Sequence, residues 1–270
     1  MSENTYRKLS RTAGILAAIA VILSTLGFLA EYGMEYWNLF TENTSIAERL
    51  TNPEWVVETV IVLLVPTILF IITAVETVHL IHALMRVDRE AIAEAIGFRM
   101  VVLLLSFVFT RAASLYVMSA ENAPDRVWIF QTIVSLFFTG AQVIFLYLLW
   151  RVYKETTTVF FLDHPAAAFV IPAVYFALSL GYSSLSGTMR VTSLLRILGN
   201  LSFGDFSAVF GGVAATVLEN LESFVIAAVF ILVGVMARGL ILNDRAASAN
   251  ATEKETEKSA APAADKIGIR

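Results

Sequence analysis

Uncharged, mostly apolar stretches of about 20 residues alternate with short charged clusters along the chain. A helix of that length crosses the hydrocarbon core of a bilayer, and helix is the expected form because lipid offers no partner to free backbone groups. The pattern therefore predicts an all-α fold, a polytopic transmembrane helical bundle of six spans. The spans cover about residues 12–30, 56–84, 100–119, 127–150, 166–182 and 221–242.

The region between the last two spans has a pattern of its own. Residues 190–201 carry apolar side chains at helical spacing, which is typical of a helix lying in the outer interface. Residues 206–242 would form a helix of about 55 Å, so we expect a break at Gly211-Gly212 or at the pair Glu219 and Glu222. We favour an outer interfacial or re-entrant segment. A separate crossing at 206–218 would give seven spans.

Basic residues beside the spans indicate the orientation, because cytoplasmic flanks carry an excess of Lys and Arg. With the N-terminus inside, ten basic residues flank the spans on the cytoplasmic side and four on the outer side. The cytoplasmic set is Arg7, Lys8, Arg11, Arg86, Arg89, Arg99, Arg151, Lys154, Arg238 and Arg245. We therefore expect both termini in the cytoplasm, and we expect the cell (plasma) membrane as the location.

The end of the chain differs in composition from the rest. Residues 244–270 are rich in Ala, Glu and Lys and have no large apolar side chain before Ile267. A segment of this kind buries too little apolar surface to fold alone. We expect a transmembrane domain of residues 1–243 followed by a disordered cytoplasmic tail.

The overall composition supports the membrane class and excludes several kinds of site. Mean hydropathy is +0.73 and 16% of residues are charged, whereas a soluble domain has about 25% charged residues. The net charge of −4 gives no reason to expect nucleic acid as a partner. The absence of cysteine excludes disulfides, thiolate metal sites and cysteine nucleophiles.

Arg111 is the most informative single residue, because it lies inside the predicted third span, about 12 Å from its outer end. An arginine at that depth normally faces the bundle interior and finds a partner. Glu58 and Glu222, each near the outer start of a span, are the candidate partners. The functional interpretation is a substrate or ion contact in an outward-facing cavity. We favour the alternative, a structural ion pair or an arginine that extends outward to the interface.

Glu219 and Glu222 are spaced to share one face of a helix. Two carboxylates at a membrane boundary can form a cation-binding entrance, but they also suit the solvated first turn of a helix, which we favour. In the fourth span, Gln131 and Gln142 flank a stretch of small residues. We interpret these amides as packing residues that hydrogen-bond across helices.

Glu76, His79 and His82 form a Glu-x-x-His-x-x-His pattern on one helix. The first half resembles one part of a di-iron carboxylate site, which requires the same motif on a second helix and further glutamates. The chain has no second Glu-x-x-His motif, so we favour a polar cluster near Arg86 at the cytoplasmic boundary over a metal site. We expect no cofactor.

The remaining motifs do not identify an activity. The sequence contains no His-Glu-x-x-His, no Gly-x-x-x-x-Gly-Lys and no Gly-x-Ser-x-Gly motif, so an enzyme ranks last among the hypotheses. We favour an accessory or regulatory subunit in the lipid bilayer that binds a membrane protein partner or another copy of itself. The alternative is a small transporter or channel that uses an intramembrane site of an arginine and carboxylates.

Overall fold

The computed structural model describes residues 1–41, 51, 56–57, 59–121, 126–155, 163–167, 170, 173–174 and 206–264 of the 270-residue chain. Five long helices make up most of the described residues. They are α1 (Glu3–Thr41), α2 (Val65–Arg86, directly after a π-helical turn at Val60–Leu64), α3 (Arg89–Glu121), α4 (Arg126–Glu155) and α5 (Phe206–Ala264). Each of the five contains a stretch long and apolar enough to cross a membrane. The described part of the chain is thus all-helical, as predicted.

Two predicted segments are not covered by these helices. The predicted fifth span, residues 166–182, lies largely outside the described residues, and the predicted interfacial segment, residues 190–201, lies wholly outside them. The packing of the five helices is therefore the part of the bundle that positions the candidate site.

α1 runs antiparallel to α2. Near the start of α1, the Ser10 hydroxyl donates a hydrogen bond to the Leu84 carbonyl at 2.5 Å. Farther along, the ring of Phe28 stacks on the ring of Phe70 with centroids 4.4 Å apart. Since Ser10 and Leu84 are both buried, this contact fixes the register between the two helices at one end.

α1 also runs antiparallel to α5. The Met1 ammonium donates to Oδ1 of Asn243 at 2.7 Å, and the Asn243 amide donates back to the Met1 carbonyl at 3.1 Å. Gly27 lies against the Leu218 side chain, at a distance where a Cβ would make an ordinary contact, 3.6 Å. α1 is therefore packed between α2 and α5.

A two-residue turn joins α2 to α3. Val87 adopts a left-handed conformation with φ of 60°, and the Asp88 carboxylate then accepts from the backbone N–H groups of Glu90 and Ala91 at 3.0 and 3.3 Å. An aspartate in this position caps a helix N-terminus. So short a turn makes α2 and α3 antiparallel neighbours.

Arg89, the first residue of α3, binds the end of α4. Its guanidinium donates to the carbonyls of Tyr153 and Val152 at 2.6 and 3.1 Å, which are among the free carbonyls at a helix C-terminus. The buried Tyr153 hydroxyl donates in turn to the Val233 carbonyl of α5 at 3.0 Å. We call this end of the bundle, which holds Met1, the α2–α3 turn and Tyr153, the basic end.

Large apolar side chains cover the outside of the bundle. Several are more than half exposed, among them Ile22, Ile71, Val108, Phe137 and Ile144. Exposed apolar surface of this extent is unfavourable in water, whereas it is the normal outer surface of helices in lipid.

Several helices extend beyond the spans that the sequence pattern predicts. α3 begins at Arg89 and not near residue 100, because the Asp88 cap starts the helix at the turn and the charged residues that follow lie within it. α5 is one unbroken helix from Phe206 to Ala264, so the predicted break at Gly211-Gly212 or at Glu219 and Glu222 is wrong. Each of the two glycines costs about 1 kcal/mol in a helix, which the packing of α5 against α1 offsets.

α5 also continues through residues 244–264, for which the sequence predicts disorder. Ala, Glu and Lys are strong helix formers, and a helix already formed by packing extends at little cost because nucleation is complete. The side chains at the start of this extension, from Arg245 to Thr252, are exposed.

Candidate functional site

An ion pair between Glu76 of α2 and Arg99 of α3 lies inside the bundle. The Arg99 guanidinium donates to Oε2 of Glu76 at 2.6 Å, and the two side chains are 14% and 1% exposed. The pair follows from the tight turn: Glu76 is eleven residues before Val87 and Arg99 is eleven residues after Asp88. In an antiparallel helical hairpin, residues equally far from the turn lie opposite each other.

The sequence predicts Arg99 on the cytoplasmic flank of a span and Glu76 at the cytoplasmic boundary with His79 and His82, and these depths stay predictions. The structure adds that Glu76 is buried in the bundle, whereas His79 and His82 are exposed. The equal distances of Glu76 and Arg99 from the turn are the signal in the sequence that could have identified the pair.

The three residues of the Glu-x-x-His-x-x-His pattern therefore do not converge. Among the described residues, no group of three His, Asp or Glu side chains is close enough together to hold a metal ion. His164, the third histidine, is exposed.

Glu222 of α5 is the second carboxylate of the site. Its side chain is half-buried, accepts a hydrogen bond from the Ser24 hydroxyl of α1, and interacts electrostatically with Arg99. The expected solvated first turn is wrong for Glu222, because α5 begins sixteen residues earlier and continues past it. Arg99 consequently interacts with two carboxylates, one from α2 and one from α5.

Three cavities share Glu222 as a lining residue. One of about 120 Å³ lies between α3, α4 and α5 and is lined by Arg99, Gln142 and Glu222, among others. A second of about 300 Å³ lies between α1, α2 and α5 and also contacts Glu31 and Glu219. A third, of about 10 Å³, adjoins Glu222 between α1 and α2. Glu222 thus lines both a cavity toward α3 and α4 and cavities toward α1 and α2.

Carboxylates are prominent at the site. Two of them, Glu76 and Glu222, interact with the guanidinium of Arg99, and two more, Glu31 and Glu219, line the 300 Å³ cavity with Glu222. Carboxylates that line a cavity attract cations and exclude anions. The arrangement is therefore suited to a small cation or a proton.

The structure places Glu219 and Gln142 at the cavities as well. Glu219 is exposed and lines the 300 Å³ cavity one helical turn from Glu222, as the predicted shared face requires. Gln142, interpreted from the sequence as a packing residue, lines the 120 Å³ cavity. The sequence alone does not distinguish a glutamine that packs between helices from one that lines a cavity.

Arg111 lies elsewhere in the bundle. Its guanidinium donates to the hydroxyl of Ser135 on α4, and Ser135 is buried. Of its two expected partners, Glu58 lies outside the described residues, and Glu222 faces Ser24 and Arg99. The structure does not bring Arg111 together with Glu222. The arginine of the candidate site is therefore Arg99, which lies closer to the basic end than Arg111 on the same helix, α3.

The geometry alone supports the functional argument, because the comparisons with known proteins found no matching family, no matching curated protein and no matching solved structure.

Proposed function

We propose that this protein is a small membrane carrier or channel that moves a proton or another small cation through the site around Glu222. In this proposal the chain is polytopic, with six spans, both termini in the cytoplasm and the cell membrane as its location. The basic end of the bundle is then the cytoplasmic end, since Arg7, Arg86 and Arg89 lie there.

The proposal rests mainly on the position of Glu222, which lines several cavities and lies next to the buried pair of Glu76 and Arg99. Glu76 and Arg99 are each ten residues from a basic residue at the basic end, Arg86 and Arg89, which is about 15 Å along a helix. The hydrocarbon core is about 30 Å thick, so the pair lies near its middle. Ionisable groups at that depth are costly and mark ion pathways or proton relays.

The balance of charge favours a cation over an anion. Arg99 already donates to Glu76 at 2.6 Å, so its charge is largely compensated before any substrate arrives. Glu222 is the group that three cavities reach, and it is the group that a proton or cation would bind.

The chemistry needed is reversible binding at one carboxylate. A proton or cation that enters the 300 Å³ cavity binds a Glu222 oxygen. This binding replaces the electrostatic attraction between Glu222 and Arg99. Arg99 stays paired with Glu76, so the bundle retains its buried ion pair while Glu222 is neutral. When the proton or cation leaves toward the 120 Å³ cavity, Glu222 regains its negative charge and its attraction to Arg99.

Flux through reconstituted vesicles tests the proposal. The purified full-length chain is placed in liposomes that contain a pH-sensitive dye, and separate preparations measure Na⁺ and K⁺ uptake. We expect proton or cation flux above that of empty liposomes, and we expect Glu222→Gln to reduce it at least tenfold. The matched control is Glu94→Gln, because Glu94 is an exposed carboxylate of α3 and should retain the flux.

Two outcomes would contradict the proposal. One is a wild-type chain, folded in the vesicles, that passes none of the three ions faster than empty liposomes. The other is a Glu222→Gln variant with wild-type flux.

The exposed end of α5 favours a second candidate function, an accessory subunit that binds a partner protein. The helix continues about 20 residues past Asp244, beyond its contact with Met1. We expect a chain that lacks residues 245–270, and with them the exposed side chains from Arg245 to Thr252, to lose its partner in pull-downs from native membranes while its thermal stability stays unchanged. Recovery of the same partner with the shortened chain, or of no partner with either chain, would contradict this function.

A further inference from the structure

Three arginines line one cavity at the basic end, away from Glu222. Arg7 and Arg11 of α1 and Arg86 of α2 surround a space of about 430 Å³, which Glu3, Tyr6 and Met85 also contact. The cavity opens between the two helices where the apolar part of α1 begins, at Thr12.

Helix geometry and helix packing bring these side chains together. Arg7 and Arg11 are four residues apart, so they share one face of α1. The hydrogen bond from Ser10 to the Leu84 carbonyl, together with the contact of Gly14 with Met85, sets α2 against that face. Arg86, two residues after Leu84, therefore lies beside the arginines of α1.

Positive charge exceeds negative charge in this cavity. Among the described residues that line it, Glu3 is the one carboxylate, and it accepts from Arg7 at 2.6 Å. That ion pair is 61% and 78% exposed, so it is weak and easily exchanged. Like charges four residues apart on a helix repel each other, which an anion between them would offset.

We propose that this cavity binds a phosphate-bearing anion, either the headgroup of an acidic phospholipid or free phosphate. Guanidinium groups bind phosphate oxygens through paired hydrogen bonds, and basic pockets between membrane helices on the cytoplasmic side bind acidic headgroups. The half-exposed Met85 side chain at the cavity provides apolar surface beside a lipid chain. The Arg7 guanidinium exchanges Glu3 for the phosphate.

Binding to the purified full-length protein tests this inference. The protein is stripped of lipid in detergent, and bound lipids are counted by native mass spectrometry after addition of phosphatidylglycerol or phosphatidylcholine. We expect phosphatidylglycerol to bind and to raise the melting temperature by several degrees, and phosphatidylcholine to do neither. The triple variant Arg7→Gln, Arg11→Gln, Arg86→Gln should bind phosphatidylglycerol at least tenfold more weakly.

The matched control is Lys8→Gln, which removes a neighbouring exposed charge that does not line the cavity and should bind like the wild type. Since all three arginines are exposed, the triple variant should elute as a folded protein. A titration with inorganic phosphate distinguishes free phosphate from the lipid headgroup. A full temperature shift with phosphate alone identifies free phosphate, and a shift only with phosphatidylglycerol identifies the lipid. Equal phosphatidylglycerol binding by the triple variant and the wild type would overturn the inference.

Discussion

Oε2 of Glu76 accepts a hydrogen bond from the Arg99 guanidinium at 2.6 Å, while Oε1 of the same carboxylate is buried with no hydrogen-bond partner among the described residues. A buried carboxylate is tolerated when a cation compensates its charge, and it becomes very costly when the cation is removed. The pair therefore ties α2 to α3 in one register, and each member depends on the other.

Glu76→Gln should lower the free energy of unfolding by about 3 kcal/mol, the lower end of the range for a broken buried ion pair, because Arg99 loses the carboxylate it binds at 2.6 Å and keeps its interaction with Glu222. Unfolding in mixed micelles with increasing sodium dodecyl sulfate measures the change. The control is Glu94→Gln, which removes an exposed carboxylate of α3 and should change stability by less than about 0.5 kcal/mol. The double variant Glu76→Met, Arg99→Met should be more stable than either single variant, since neither charge of the pair is left without the other. If the double variant loses the sum of the two single losses, the pair is not coupled.

Arg111→Gln should lower stability by about 1.5–3 kcal/mol, the range for a hydrogen bond to a charged group, since the guanidinium donates to the buried Ser135 hydroxyl. It should leave vesicle flux within twofold of the wild type, because Arg111 lies apart from the cavities at Glu222. Ser135→Ala removes the same hydrogen bond from the other side and should give a similar loss of stability. Loss of flux in Arg111→Gln with stability unchanged would instead place Arg111 in the ion path, as one interpretation of the sequence has it.

The helical class could be predicted from the sequence, because about 20 apolar residues without charge have few alternatives to a membrane helix. The helix ends could not. The pattern treats charged residues as boundaries, so Arg99 and Glu76 were both assigned to the edge of the membrane. Their burial depends on mutual neutralisation between two helices, which becomes visible only when the chain is folded at the Val87–Asp88 turn.

The candidate site, too, could be predicted from the sequence only in part. Glu219 and Glu222 were identified as a carboxylate pair from their spacing alone, since helical periodicity is a local property. Their surroundings were not, because Ser24 reaches Glu222 from α1 and Arg99 reaches it from α3. The sequence favours Arg111 over Arg99 as the functional arginine because Arg111 lies deeper within a predicted span. Depth within a span carries no information about which helices are neighbours.

Gly97→Ala should raise stability by about 0.5–1 kcal/mol, because alanine is the better helix former by that amount and the position has room for a methyl group. A Cβ at Gly97 would meet Nε1 of Trp150 at 3.5 Å and Cδ1 at 3.6 Å, which is ordinary contact distance and adds packing between α3 and α4. Thermal unfolding in detergent measures the change. Gly97→Leu is the matched opposite, since its larger side chain must displace the Trp150 ring and should lower the melting temperature. Destabilisation by alanine would mean that the two helices pack more closely than these distances indicate.

Val87→Gly should also stabilise the protein. Val87 ends α2 at the position where the Val87 N–H donates to the Leu84 carbonyl and the Asp88 N–H donates to the Ala83 carbonyl, the pattern that helices usually complete with glycine. A branched side chain at φ of 60° carries strain of about 1–3 kcal/mol, whereas glycine adopts this conformation freely at an entropic cost of about 0.5–1 kcal/mol. We expect a net gain of about 1 kcal/mol, measured as a higher melting temperature. Val87→Ala keeps a Cβ and therefore most of the strain, so it should gain less than glycine. A lower melting temperature for Val87→Gly than for Val87→Ala would show that the valine side chain contributes more through packing than the turn loses through strain.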